Sequence, residues 1–325
     1  MLLEHEPLSP SKTLETEIHS NSLFAPPGSL LLMSVLFSLA SATVSVIVLD
    51  PSDHITVPRG LWILILGLVF FVSLFDLLNH LALRTQTGHR YMKRYDLRTH
   101  EVFDISNKCV SAVQSILCCV AGIVICWWSC YQNFLCTSHY MSEAYAWFGT
   151  AYFFYDLWSM YYVWIHDASR ILPADLPNRL KIFIASQPLI VAHHLFIGTI
   201  GFLIIVWWRG GLGDCVFGFV YLMELSTPFV SARVVLSRLK LKSSIIYLCN
   251  GLLMLGTFLL CRVLVFPYAG YLYMQSTRMN FWQAMWSLPW AVKVVVPILL
   301  LPQIYWLSLM LVGAMKILFE TTKDT

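Results

Sequence analysis

The chain has 325 residues, 58% of them hydrophobic and 12% charged, with a mean hydropathy of +0.68. That is more apolar surface than a soluble core of this length can hide, so a water-soluble protein is excluded and a polytopic, all-α membrane protein is expected. The formal net charge of +3 is too small for a nucleic-acid surface, and no nucleic-acid partner is expected.

Residues 1–28 are polar and acidic through Glu4, Glu6, Glu15 and Glu17, and they end in Pro26, Pro27 and Gly28, the composition of a disordered tail. Lys12 alone does not make the basic flank of a secretory signal, so residues 29–49 read as a retained first span. A second apolar run covers 60–83, with Asp76, Asn79 and His80 read as facing the bundle near its rim. Residues 84–103 form the most basic loop, carrying Arg84, Arg90, Lys93, Arg94 and Arg98. Further segments near 106–129, 144–165, 186–208, 213–235, 244–267 and 289–317 are each long enough to cross about 30 Å of hydrocarbon. The last is interrupted by Pro289, Lys293, Pro297 and Pro302. Eight spans are expected, or seven if one end is miscounted. They must be helical, because lipid-exposed backbone has to satisfy its own hydrogen bonds and barrel-type alternation is absent.

Charge asymmetry sets the orientation. With both termini on one side, that side receives Lys12, the 84–98 cluster, Lys108, Arg170, Arg179, Lys181, Arg233, Arg238, Lys240, Lys242, Lys316 and Lys323. The other keeps Arg59, Arg209, Arg262, Arg278 and Lys293, so both termini are expected in the cytosol. Of the nine cysteines, Cys130 and Cys136 flank a short loop and would suit a disulfide if that loop is luminal.

Ionisable side chains at membrane depth are costly, which makes His193-His194 the centre of the functional argument. The pair lies about eight residues in from the cytosolic end of the fifth span, roughly 12 Å deep. Asp156 on the fourth span and Asn250 on the seventh fall at a matching depth, and Glu224 on the sixth sits nearer the midplane. Neutral imidazole is a competent nucleophile and general base, and a carboxylate beside it orients the ring and stabilises the imidazolium. Adjacent helical residues point about 100° apart, so one histidine faces a given cavity and the other braces it; the sequence does not say which. The plain alternatives are a hydrogen-bonded packing histidine and a structural Asp156–histidine pair. Glu224 has its own, since Pro228 four residues on kinks the span and Ser226 and Thr227 are the usual repair. The histidine count and spacing do not suit a di-iron centre, and no metal is expected.

In chain order, the motifs Tyr155-Asp156, His193-His194, Gly213-Asp214, Glu224 to Ser231, Asn250-Gly251, Cys261 to Tyr268 and Pro302 to Trp306 resemble the TLC-domain family of TRAM and the ceramide synthases. The resemblance implies a TLC domain over 104–318, preceded by two extra spans and the basic loop (29–103) and followed by a cytosolic tail (319–325). It implies a six-helix barrel around a lipid tunnel in the endoplasmic reticulum membrane. By the same resemblance, His193, His194 and Asp156 are the candidate catalytic residues, and Tyr155, Glu224, Thr227 and Asn250 the candidate substrate-binding ones. The implied reaction is acyl transfer from acyl-CoA, as co-substrate with no other cofactor, to a long-chain sphingoid base. The implied partners are membrane lipids, acyl-CoA and the long-chain base, with a homo-oligomer left open. Ceramide synthases carry an HDxxD-type motif on the sixth span where this chain has Met223 to Pro228. A non-catalytic lipid sensor built on the same tunnel is therefore the alternative.

Overall fold

The computed structural model describes residues 26–132, 134–167, 173 and 175–321, and the described residues are helical with no strand. The elements are α1 (Gly28–Ile47), α2 (Val57–Arg84), α3 (Gln86–Tyr95), α4 (Thr99–Ser129), α5 (Tyr140–Ile165), α6 (Leu176–Ser186), α7 (Pro188–Phe196), α8 (Asp214–Leu222), α9 (Thr227–Arg238), α10 (Ile245–Phe258), α11 (Val265–Thr277), α12 (Phe281–Ser287) and α13 (Trp290–Thr321). Irregular turns join some of these into longer rods: α7 runs on to Trp208, α8 into α9, and α10 into α11. Most of the sequence expected as a tail, residues 1–25 and 322–325, lies outside the described residues.

Seven rods are long and apolar enough to cross a membrane. An eighth, α5, has 26 residues but is rich in tyrosine and tryptophan and carries Glu143 and Asp156, which lowers its hydropathy. It is the most enclosed helix, packed along α2 and α4. The last rod continues through both internal prolines, Pro297 and Pro302. Neighbouring helices and local adjustment satisfy the carbonyls that proline leaves open in a membrane.

The core sits where α2, α4 and α5 meet. Phe71 is fully buried, its ring 5.3 Å from Phe148, 5.4 Å from Tyr152 and 6.1 Å from Tyr155. Small residues let the helices close in: a Cβ on Gly67 would stand 2.7 Å from the Phe148 carbonyl oxygen, and one on Gly122 2.9 Å from that of Gly218. Helix α1 packs on α2, with Ser34 Oγ and Ser73 Oγ 2.9 Å apart. Asn79 is buried and His80 half-buried, but Asp76, expected to face the bundle, is exposed on its outer surface.

One end of the bundle is latched. Cys130 at the end of α4 is disulfide-bonded to Cys215 on α8, so the pairing of Cys130 with Cys136 that the short loop allowed does not form. The loop strand around Cys136 runs beside the start of α8, Gly213 N donating to Leu135 O, and this brings Cys215 to Cys130 from far along the chain. Gly213 takes a left-handed φ of 72°, which suits glycine. Asp214 after it is fully buried, accepting from the His139 amide and Ser142 Oγ and pairing with Arg209. On the neighbouring turn Glu143 accepts from the Ile55 amide at 2.8 Å and pairs with His54. The Gly213-Asp214 motif thus ties helix ends together, away from the histidine pair.

Candidate active site

Asn107 on α4 and Asp156 on α5 face each other inside the bundle, 1% and 3% exposed. Asn107 Nδ2 donates to Asp156 Oδ1 at 2.9 Å, and the other carboxylate oxygen lies 2.9 Å from His194 Nε2. Behind them, Asn107 Oδ1 accepts from Ser159 Oγ at 2.8 Å and from the Tyr155 hydroxyl at 3.2 Å. Helix α7 comes close enough because Gly198 packs on Phe153, where a Cβ would meet the Phe153 Cβ at 3.1 Å.

The two histidines now separate in role. His194 Nδ1 lies 2.9 Å from the Ile190 carbonyl oxygen one turn back, and Nε2 faces the Asp156 carboxylate. With Asp156 ionised and held by Asn107, both ring nitrogens face acceptors and carry hydrogen, which makes His194 an imidazolium paired with Asp156. His193 makes no hydrogen bond among the described residues. Its ring stands edge-on to Trp306 at 5.8 Å and to His194 at 5.7 Å, on the wall of a cavity of about 690 Å³.

A second ion pair lies in the same cavity. Before Pro228 the helix tightens into a 3₁₀ turn (Met223–Ser226), and before Pro267 it widens into a π turn (Leu259–Leu264), as chains do where proline cannot donate back. These turns aim Glu224 and Arg262 at one another, 3.2 Å apart. The Arg262 Nε donates to Ser226 Oγ at 2.8 Å, Nη2 also to Thr227 Oγ1 at 2.7 Å, and Nη1 to Gln303 Oε1 at 3.4 Å. Charge counting had put Arg262 on the rim opposite the termini. That fails because the helix runs on to Thr277 and leaves residue 262 in mid-span. Ser226 and Thr227 serve Arg262 and Glu224, the Thr227 hydroxyl donating to Glu224 Oε2 at 2.6 Å, while the tightened turn handles the kink.

The cavity is lined by α4, α5, α7, α8–α9, α10 with its π turn, and α13, and by nothing from α1 or α2. It therefore has the six-rod enclosure expected of the barrel. Towards one end its lining includes His100, Asp104, Lys108, Asp167, Gln187, Arg233 and Arg238. Arg238 is neutralised by Asp104 at 2.8 Å, and the Arg233 guanidinium lies 4.5 Å over the Tyr247 ring. Of the site residues expected from sequence, His193, His194, Asp156, Glu224 and Thr227 share this wall, while Tyr155 and Asn250 do not. Tyr155 supports Asn107 from behind, and Asn250 Nδ2 donates to the Phe229 carbonyl at 2.9 Å, bracing α10 on α9. Asn107, Ser159, Arg262 and Gln303 had no place in the expected site. The available signal on α4 was a polar stripe, Asn107, Ser111, Gln114 and Ser115, at helical spacing. Among the described residues, no group of three or more His, Cys, Asp or Glu side chains could hold a metal ion.

A family model described as the TLC domain, of the TRAM, LAG1 and CLN8 group, matches residues 104–312. The chain belongs to the TLC-domain family. The matched TLC region takes in the cavity-lining part of every one of the six rods except the first turn of α4, and it leaves α1 and α2 outside. No solved structure matches the chain.

Proposed function

We propose that this TLC protein is an acyl-CoA-dependent N-acyltransferase acting on a long-chain sphingoid base in the endoplasmic reticulum membrane, with both termini and the cavity mouth in the cytosol. We also propose, from the order and spacing of its motifs, a resemblance within the family to TLC-domain-containing protein 3. The observation that carries the reading is the unengaged imidazole of His193 on the wall of a tail-sized cavity, next to a His194 whose two ring nitrogens both face acceptors.

In the first step the free nitrogen of His193 attacks the thioester carbonyl: the N–C bond forms, the C–S bond breaks, and the departing thiolate takes the imidazole N–H proton. In the second, the uncharged amine attacks the acyl-imidazole: a new N–C bond forms, the bond to His193 breaks, and the proton released by the amine returns to the ring. His194 and Asp156 position His193 and fix the rotation of α7. Lys108 and Arg233 at the mouth attract the CoA phosphates.

The test is intact-protein and peptide mass analysis after incubation with a long-chain acyl-CoA. An acyl increment on His193, absent in His193→Ala and discharged by sphinganine, supports the reading; an unmodified His193 refutes it. A second reading, a lipid sensor without catalysis, is favoured by one observation. The carboxylates of Asp156 and Glu224 are already paired with cations of the chain, leaving neither as a free carboxylate base. Binding of acyl chains with no turnover and no acyl-enzyme would select it.

A further inference from the structure

The guanidinium of Arg262 is the most fully saturated polar group in the cavity wall, and what it leaves unsaturated is informative. Arginine has five N–H donors. Nε uses its hydrogen on Ser226, Nη2 uses both on Thr227 and Glu224, and Nη1 uses one on Gln303. One Nη1 hydrogen remains on a side chain that lines the cavity. The group is held from three sides and its charge is compensated by Glu224, so it is a fixed donor that need not reorganise when a partner arrives.

Its position relative to His193 is set by α13. Gln303 takes the Arg262 bond, and Trp306, one turn on, takes the edge of the His193 ring. Residues three apart on a helix are about 4.5 Å apart along its axis and share a face. The His193 ring and the Arg262 guanidinium are thus neighbours along one face of α13, on the wall of one cavity.

We infer that Arg262 is the oxyanion donor of this site: it hydrogen-bonds the carbonyl oxygen of a bound acyl thioester and holds the negative charge that forms when His193 adds to it. This rests on the acyltransferase reading. As the N–C bond forms, the carbonyl π pair moves onto oxygen beside Nη1, and it returns when the C–S bond breaks and the thiolate leaves. The same oxygen is charged again when the amine adds to the acyl-imidazole. Glu224, Thr227, Ser226 and Gln303 act as positioning residues through Arg262.

The experiment uses two uncleavable probes with the full-length protein in detergent micelles: a 2-oxoalkyl-CoA, which keeps a carbonyl next to the sulfur-bearing carbon, and an alkyl-CoA of the same chain length, which has none. The wild-type protein is expected to bind the carbonyl probe about tenfold more tightly. Arg262→Lys keeps the charge opposite Glu224 but loses the fork, and should bring the ratio close to one while alkyl-CoA binding is unchanged. With acyl-CoA it should lower kcat about 100-fold or more at similar KM. If Arg262→Lys does not fold, the double variant Glu224→Gln/Arg262→Gln removes both charges together and is read in the same way. A wild-type ratio near one, or a variant that keeps the wild-type ratio, overturns the role of Arg262 and leaves the acyltransferase reading standing. Failure of the wild-type protein to bind either probe overturns both.

Discussion

Replacing Asp156 by asparagine would strand the His194 imidazolium at a place where the two side chains are 5% and 13% exposed. Asparagine offers one oxygen where the carboxylate now serves two donors, His194 Nε2 and Asn107 Nδ2, so one of these is orphaned as well. Breaking a buried pair from one side costs about 3–5 kcal/mol, whereas removing both charges together is close to neutral. Asp156→Asn should therefore lose about 3 kcal/mol or more, and the double variant Asp156→Asn/His194→Gln less than about 1.5 kcal/mol. The coupling is then at least about 1.5–2 kcal/mol, at or above the strongest neutral hydrogen bonds measured between membrane helices, about 1.7 kcal/mol. Reversible unfolding in mixed micelles, titrated with a denaturing detergent, measures all four corners of the cycle. Losses that add to within about 0.5 kcal/mol would refute the assignment of His194 as a charged, doubly bonded ring.

Four further outcomes follow from other parts of the bundle. His139 lies outside the membrane-spanning segments; burial holds its pKa below the ordinary 6.5, and its Nδ1 accepts from the Met141 amide at 3.1 Å, which only the unprotonated ring does. A depressed histidine stabilises the fold fully above its unfolded pKa and less as pH falls below about 6.5. Hydrogen exchange at the start of α5, corrected for intrinsic rates, should accelerate from pH 7 to 5, and a flat profile contradicts this. Peptide mapping without reduction should recover Cys130 linked to Cys215 and Cys136 alkylated; Cys215→Ser should cost about 2–4 kcal/mol of stability. Gly67→Ala should cost about 1–3 kcal/mol, because the atom it meets at 2.7 Å is a helix carbonyl that cannot step aside, and full thermal stability would contradict the packing. Asn250→Ala should lower stability by about 1 kcal/mol with acyl-CoA binding unchanged, since it braces α10 on α9 and does not reach the cavity; weakened binding would return it to the site.

Hydrophobic length alone marks out the rods, because a membrane span must be apolar over a fixed distance. Depth along each rod is legible too, and it brings His194 and Asp156 to one level from the sequence alone. Rotation about the helix axis was not. Tyr155 and Asp156 are neighbours in sequence, yet one faces the Asn107 side chain from behind and the other lines the cavity. Arg262 shows a different limit. The apolar run of the sequence ends at Pro267 and sets Arg262 near a rim, whereas a π turn absorbs that proline and the helix goes on. The Cys130–Cys215 bond was out of reach for a third reason: the partners are 85 residues apart and meet only once α4 and α8 are side by side.

Beyond the mouth, each ionised group has its opposite within bonding reach: Asp156 with His194, and Glu224 with Arg262. Among the described residues the inner chamber therefore holds no excess of either sign, and a free ion pushed into it would shed its hydration with no net opposite charge to meet it. At the proposed entrance Lys108, Arg233 and Arg238 outnumber Asp104 and Asp167. A molecule with a negative head and an electrically silent tail is drawn to the doorway by one end and admitted only by the other, so the bundle sorts amphiphiles by the order in which they present their parts.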